Sequence, residues 1–223
     1  MKQIIKGKEP KTLMEHRAAG GNYKGLDTGE LREQLLHEQG HICCYCMKRI
    51  PQTLSEEQIA RHYPKCKIEH VLSQENHPDQ ELNYQNLLIA CNGNHGQPKK
   101  MQTCDTFKGD RDLSFNPADR YRNIEQILKY LPNGEIRSDD RTIDRELDEI
   151  LNLNTLDLKK VRAEYYKNIQ QRISTEGKQR AGKEIQRRFY EAKKRKLLEM
   201  VDNKFSEYCM IGVYLINKKL RKF

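Results

Sequence analysis

The sequence predicts an α+β fold, in which a small core of short strands is embedded in a mostly helical chain. All but one of the seven cysteines fall between Ile42 and Gly109, among short apolar runs of strand length. From Asp139 onward, apolar residues instead recur with helical spacing. A chain of 223 residues has room for one good-sized domain or two small ones. We therefore divide it into an arm plus the cysteine-rich core (residues 1–112) and a mainly helical, basic region (residues 113–223).

The composition is polar and basic. Charged residues make up 33% of the chain and the mean hydropathy is -0.95, so we expect a modest hydrophobic core that a bound metal would help to stabilise. The net charge of +9 favours a polyanionic partner whose phosphates are neutralised by Lys and Arg. Solubilising charge on long helices would give the same net value.

The cysteines also indicate a compartment. The segment Met1–Lys11 is basic but lacks the apolar stretch of a signal peptide, and no run of 18 apolar residues follows. An odd number of cysteines without a secretory signal is typical of a reducing cytoplasm, where metal binding is commoner than disulfide formation.

The first elements follow from caps and apolar spacing. Residues 1–26 predict an extended arm with turns. Asp27 or Thr28 can cap a helix over Glu30–Gln39, and Gly40 can end it.

The core elements are short. We expect a hairpin with a metal-binding knuckle at its tip over His41–Ile50, and a loop or short helix from Pro51 to Pro64. Lys67–Leu72 predicts a strand, Tyr84–Ala90 predicts an apolar segment packed against the site, and Cys104–Arg111 predicts the start of a helix.

The second half of the chain predicts helices. Asn116-Pro117 and Pro132-Asn133-Gly134 are turn signals. Two helical stretches then follow on either side of a break at Asn152–Asn154, and Gly177 and Gly182 interrupt the second one.

Two C-terminal segments have distinct compositions. The stretch Arg172–Lys196 is rich in Lys and Arg and predicts either a surface that contacts DNA or a partner, or a solvated helix face with i,i+4 ion pairs. Tyr208–Leu220 is apolar and predicts a helix that docks on the body of the protein or on a partner, with Cys209 in the core.

The cysteine spacing predicts a structural zinc site. A C-x-x-C loop presents two sulfurs in one turn, and two later cysteines can complete a tetrahedron. The predicted ligands are Cys43, Cys46, Cys91 and Cys104. His95 or Cys66 could replace one of them, and Cys44 would point elsewhere. A redox sensor that uses the clustered thiols of Cys43, Cys44 and Cys46 is a rival interpretation.

An acid, a histidine and an amide lie between the two cysteine pairs. Neutral imidazole at His70 suits deprotonation of water, and carboxylates at Glu69 and Asp105 suit a catalytic Mg²⁺ or Mn²⁺. Asn86 can fasten the loop that carries His70, and Lys108 can contact a phosphate. These residue types in this order indicate phosphodiester cleavage.

The same motifs give the segment a resemblance to the zinc-bound HNH, or ββα-metal, endonucleases. That resemblance implies a ββα-metal core in which His70 is the general base, Glu69 binds the metal and Asn86 orients the backbone of His70. Asp105 stands where the family often has Asn or His as the last metal ligand. His95, in the long insertion between Cys91 and Cys104, could join either metal site. The resemblance also implies DNA products with 5′-phosphate and 3′-hydroxyl ends.

More narrowly, the chain resembles the PtuB-like HNH effectors of Septu and retron-associated anti-phage systems, over roughly its first 165 residues. The residues that carry this resemblance outside the core are Ile5-Lys6-Gly7, Glu9-Pro10, Leu13, Leu31-Arg32, Leu35, Phe115-Asn116-Pro117, Leu151-Asn152-Leu153-Asn154 and Arg162. It implies a PtuA-like ATPase as partner, phage or host DNA as substrate and, in retron versions, a reverse transcriptase and its DNA product. A non-catalytic zinc module that binds nucleic acid or docks an ATPase is the alternative.

Overall fold

A computed structural model describes residues 1–51 and 65–223 and confirms the α+β class, with helices and two small antiparallel sheets. The loop or short helix predicted from Pro51 to Pro64 falls on residues 52–64, outside the described residues, except for its first position. Within the described ranges, no helix is both long enough and apolar enough to cross a membrane.

The longest described helices lie in the C-terminal half of the chain. The helices are α1 (Lys11–Ala18), α2 (Gly29–Glu38), α3 (Cys104–Lys108), α4 (Ile124–Ile127), α5 (Arg141–Glu149), α6 (Leu156–Lys178), α7 (Lys183–Leu198) and α8 (Cys209–Leu220). The strands are β1 (Cys66–His70), β2 (Leu87–Cys91), β3 (Leu128–Tyr130) and β4 (Ile136–Ser138).

The first sheet pairs β1 with β2 and carries the candidate site. The strands are antiparallel, with Ile68 opposite Ile89 and His70 opposite Leu87. Apolar residues on one face of this sheet belong to the same buried cluster as Leu31 and the other leucines of α2. The predicted helix over Glu30–Gln39 is thus confirmed, one residue earlier at each end.

The predicted hairpin at His41–Ile50 is present as a tight loop closed by a single antiparallel bridge between Ile42 and Arg49. Gly40, at φ +53°, ends the preceding helix, and a Cβ there would lie 2.7 Å from the backbone nitrogen of Phe205. Only glycine fits this close approach without strain. Gly40 therefore ends α2 where the sequence predicts, and the knuckle loop begins directly after it.

The N-terminal arm differs from its prediction. Residues 11–18 form α1, whose buried side chain is Leu13, and the arm is therefore not extended throughout. Before this helix, Lys6 lies over the ring of Tyr84, and its ammonium is 3.1 Å from a carboxylate oxygen of Glu38 and 3.0 Å from the carbonyl oxygen of Leu87. This buried ion pair ties the arm to α2 and β2, and burial lowers the pKa of Lys6 to about 8.

The second sheet was not predicted. The turn signal at Pro132-Asn133-Gly134 joins β3 to β4 in a short hairpin inside the region expected to be helical. Gly134 has φ +83°, and a Cβ there would lie 1.9 Å from the carbonyl oxygen of Lys159. The hairpin is locked to α6 by Arg162, which donates to the carbonyl oxygens of Gly134 and Leu153 at 2.6 Å each.

The three long helices pack together at the C-terminal end. α8 is buried along most of its length, as predicted, and Cys209 is fully buried in the core. Gly177 lies within α6 rather than interrupting it, whereas Gly182, at φ +86°, separates α6 from α7. Side chains from both sides of residue 112 share one buried cluster, which includes Cys46 and Ile216.

Candidate active site and metal centre

Four cysteine sulfurs form a compact buried cluster, contributed by Cys43, Cys46, Cys91 and Cys104. Every pair of these sulfurs lies within 4.8 Å, and three pairs are separated by 3.8, 3.8 and 3.9 Å. A tetrahedral zinc with Zn–S bonds of about 2.3 Å would hold its sulfurs about 3.8 Å apart. The cluster could therefore hold a metal such as zinc, with the four ligands that the sequence predicts.

The alternative ligands are outside this cluster. Cys66 lies on β1, and its sulfur accepts a hydrogen bond from Arg32 at 3.5 Å. Among the described residues, His95 is not one of the side chains grouped around the four sulfurs. Cys44 is buried beside the cluster, and its backbone nitrogen donates to Ile89 on β2.

The wide spacing between Cys91 and Cys104 is closed by the loop itself. The nitrogen of Thr103 donates to the carbonyl oxygen of Gly93 at 3.0 Å, which brings the two ends of the loop together. Gly93 has φ +57°, and a Cβ there would lie 2.2 Å from the carbonyl oxygen of Thr103. The backbone nitrogen of Cys104 is bound to Leu151, so the start of α3 is fixed from the C-terminal half of the chain.

Glu69 lies beside the cysteine cluster with its side chain fully buried. Its Oε1 accepts a hydrogen bond from the Tyr45 hydroxyl at 2.6 Å and lies 3.1 Å from the ammonium of Lys108. Its Oε2 has no hydrogen-bond partner in the described part of the chain. Burial raises the pKa of Glu69 well above its usual value, and the nearby carboxyl of Asp105 raises it further, whereas Lys108 acts in the opposite direction.

Asp105 provides the second carboxylate, from the first turn of α3 and directly after Cys104. Its Oδ2 lies 3.2 Å from the ammonium of Lys67. Two neighbouring carboxyl groups, one of them with an unpartnered buried oxygen, form a donor set that suits a hard divalent cation. Mg²⁺ commonly takes one or two carboxylates and fills its other positions with water.

His70 is held by a carbonyl oxygen and an aromatic ring. Its Nε2 is 3.0 Å from the carbonyl oxygen of Glu81, and the ring of Tyr23 meets the imidazole edge-on at 4.5 Å between centroids. Burial lowers the pKa of His70, which favours the neutral ring. A carbonyl oxygen can only accept, so Nε2 carries the proton and Nδ1 carries the free lone pair. This tautomer has the basic nitrogen that deprotonation of water requires.

Asn86 fastens the chain just beyond His70. Its Oδ1 accepts from the nitrogen of Leu72 at 2.8 Å, and its Nδ2 donates to the carbonyl oxygens of Leu72 and Gln80. The carbonyl oxygen of Asn86 also accepts from the nitrogen of Val71. Three of these four hydrogen bonds fix Val71 and Leu72, directly after β1, and the fourth reaches Gln80.

The expected phosphate contact of Lys108 is not supported by its position. The side chain is only 1% exposed, and its ammonium donates to the carbonyl oxygen of His70 at 2.8 Å as well as pairing with Glu69. The ammonium of Lys108 is thus paired inside the protein, where it links the end of β1 to α3.

A cavity of about 420 Å³ opens beside these residues. His70, Asp105 and Lys108 line it, and Glu69 lies beneath it in contact with Lys108. The residues around the site also include Tyr23, Arg32, Tyr45 and Lys67, to which sequence analysis assigned no role there. The sequence could have placed Lys67 at the site, because residues i and i+2 of a strand share a face and Lys67 precedes Glu69 by two positions.

A comparison with protein-family profiles and a comparison with curated proteins both found no match for this chain.

Proposed function

We propose that this chain is a divalent-metal-dependent endonuclease that hydrolyses DNA phosphodiester bonds. The observation that carries the proposal is the position of His70, whose Nε2 contacts the carbonyl oxygen of Glu81 and so leaves Nδ1 as the basic nitrogen. His70 shares a cavity with Asp105, close to a Glu69 oxygen that has no hydrogen-bond partner among the described residues. Hydrolysis of a phosphodiester needs such a base together with a strong positive charge held by carboxylates.

Within the nucleases, we propose the zinc-bound HNH class. The antiparallel strands β1 and β2, followed by α3, support a ββα-metal core, with His70 at the end of the first strand and Asp105 at the start of the helix. The four-cysteine cluster supports a structural zinc that holds the knuckle against β2 and α3.

The chain's own residues would carry out the following chemistry. A Mg²⁺ or Mn²⁺ ion held by Glu69 and Asp105 would supply positive charge to the phosphate and to the leaving 3′ oxygen. His70 Nδ1 takes a proton from a water molecule whose oxygen bonds to phosphorus. The bond from phosphorus to the 3′ oxygen breaks, and that oxygen takes up a proton from solvent. The products are a 5′-phosphate and a 3′-hydroxyl.

The cations around the cavity suit a DNA backbone. Arg32 donates from Nη1 to the carbonyl oxygen of Cys66 at 3.2 Å, and within the described part of the chain its other guanidinium nitrogens make no hydrogen bond. Lys67 is partly exposed beside Asp105. These two side chains, and not the buried Lys108, are the ones that we propose to contact the substrate phosphates.

More specifically, we propose that the protein is a PtuB-like effector of an anti-phage system. The sequence matches outside the core support this, and one of them has a structural role: Arg162 binds Leu153 and the side chain of Asn154. As in that family, the partner would be a PtuA-like ATPase, joined in retron versions by a reverse transcriptase and its DNA product. The alternative, a non-catalytic zinc module, would use the same cysteine cluster without cleavage.

The test is plasmid cleavage by the zinc-loaded protein with Mg²⁺ or Mn²⁺, with and without the co-encoded ATPase and nucleotide. We expect His70→Ala to lower the cleavage rate by about 10²–10⁴-fold, the usual contribution of a general base, with zinc content unchanged. The matched control is His37→Ala, since His37 is exposed on α2. If the wild type never cuts DNA, even beside its activated partner, the zinc-module interpretation replaces this proposal.

A further inference from the structure

The Tyr45 hydroxyl connects the zinc knuckle to the candidate catalytic carboxylate. Tyr45 lies between the zinc ligands Cys43 and Cys46 in the sequence and is fully buried. Its phenol reaches out of the knuckle and donates to Oε1 of Glu69 at 2.6 Å. This side-chain hydrogen bond directly joins the loop that carries two candidate zinc ligands to the acid at the end of β1.

The two oxygens of the Glu69 carboxylate have different surroundings. Oε1 takes both donors, the hydroxyl of Tyr45 and the ammonium of Lys108, whereas Oε2 is buried with no hydrogen-bond partner among the described residues. A carboxylate rotates about its Cγ–Cδ bond, so two donors on one oxygen also fix the direction of the other. The buried, unsatisfied oxygen marks the position at which a cation would compensate its lost hydration.

We propose that Tyr45 is a positioning residue that holds Glu69 Oε1 and thereby presents Oε2 to the catalytic divalent cation. This inference rests on the proposed function for the identity of the cation, and it assigns a role to a residue that lies within the zinc knuckle.

A second connection runs from the zinc cluster to the other carboxylate. Cys104 is the zinc ligand that begins α3, and Asp105 follows it directly. Both candidate ligands of the catalytic metal are thus positioned from the same cysteine cluster, one by a phenol and the other by the adjacent backbone. Structural zinc therefore sets the geometry of the catalytic metal site as well as the fold of the loop.

The test compares zinc-loaded wild type with Tyr45→Phe, which removes only the hydroxyl. Mutation of a residue that orients a metal ligand commonly weakens metal affinity by about 10–100-fold. We expect Tyr45→Phe to lose Mn²⁺ affinity by this factor, measured by electron paramagnetic resonance. Zinc content should stay at one per chain. Cleavage by Tyr45→Phe should fall most at low Mn²⁺ and recover with excess Mn²⁺.

The matched control is Tyr84→Phe. Tyr84 is also buried and donates its hydroxyl to a carboxylate, Glu38, at 2.5 Å, but that acid is not part of the proposed site. Its removal should leave Mn²⁺ affinity unchanged. Equal Mn²⁺ affinities for wild type and Tyr45→Phe would overturn the proposal, as would a wild type that binds no Mn²⁺.

The two proposals fail in different ways. If Tyr45→Phe binds Mn²⁺ more weakly but no form of the protein cuts DNA, the positioning role stands and the nuclease function falls. If Tyr45→Phe does not fold, 3-fluorotyrosine incorporated at position 45 of the wild type keeps the hydroxyl. Its fluorine resonance should broaden with paramagnetic Mn²⁺ and stay sharp with Mg²⁺. A resonance that stays sharp with Mn²⁺ would overturn the proposal.

Discussion

Replacing Lys108 tests whether the buried pair with Glu69 is charged. The two side chains are 1% and 0% exposed, so Lys108→Met would leave a buried carboxylate without its cation. Removing one partner of a buried ion pair costs about 3–5 kcal/mol. The carbonyl oxygen of His70 also loses its 2.8 Å donor, a cost that overlaps with the first. If the ion pair with Lys108 keeps Glu69 charged against the burial that raises its pKa, the free energy of unfolding should fall by about 3–5 kcal/mol.

Urea denaturation of the zinc-loaded protein, followed by circular dichroism, measures this loss. The control Lys100→Met removes an exposed lysine and should change stability by less than about 0.5 kcal/mol. The double variant Lys108→Met/Glu69→Gln removes both charges and should recover much of the loss, because the uncompensated carboxylate is gone. A loss below about 1 kcal/mol for Lys108→Met would refute the reasoning, since Glu69 would then be neutral in the free protein.

The same variant tests the proposed binding of a divalent cation by Glu69 and Asp105. If Glu69 and Asp105 bind a divalent cation, Mn²⁺ supplies the positive charge that Lys108→Met removes, and the variant should gain more stability from Mn²⁺ than the wild type does. Binding at 100 times the dissociation constant adds about 2.7 kcal/mol. If Mn²⁺ raises the free energy of unfolding equally in the variant and the wild type, measured in the same denaturation experiment, Lys108 does not neighbour the metal site.

Two further predictions concern the zinc cluster and the N-terminal arm. Cys104→Ser should lower bound zinc below one per chain and reduce the free energy of unfolding by several kcal/mol, whereas Cys66→Ser, outside the cluster, should retain zinc; equal zinc contents by metal analysis would contradict the ligand set. The pKa of Lys6 is lowered from 10.5 to about 8 by burial, so between these values the unfolded chain binds more protons and stability rises with pH. Relative to Lys6→Met, the wild type should gain about 2 kcal/mol between about pH 7.5 and about pH 9.5, and the exposed Lys8→Met should show no such difference from wild type in urea denaturation.

The parts of the site that sequence analysis identified are those with local signals. Cys43 and Cys46 are three residues apart, which presents both sulfurs in one turn whatever the rest of the chain does. The acid–His pair lies in the short segment Lys67–Leu72 that the sequence predicts to be a strand, and the structure places it at the end of β1. Asn86 was identified by its order between these motifs, and the structure adds its hydrogen bonds to Leu72.

The parts that were missed depend on contacts between distant segments. Lys108 was predicted to contact phosphate from its place one turn along a predicted helix, and only the tertiary fold places its ammonium against Glu69. Helix α1 has one buried side chain, Leu13, so its apolar periodicity is too weak to predict a helix, and ion pairing of Arg17 with Glu9 helps to fix it instead. The strands β3 and β4 span three residues each, too short for an alternation pattern to be recognised.

The most direct test of the central claim is the Mn²⁺-dependent nicking rate of supercoiled DNA by zinc-loaded wild type and His70→Ala, measured with the proposed ATPase partner present and activated. The account predicts nicks with 5′-phosphate and 3′-hydroxyl ends for the wild type, and a loss of about 10²–10⁴-fold for the variant at equal zinc content. A variant that nicks DNA as fast as the wild type would contradict the assignment of His70 as the base.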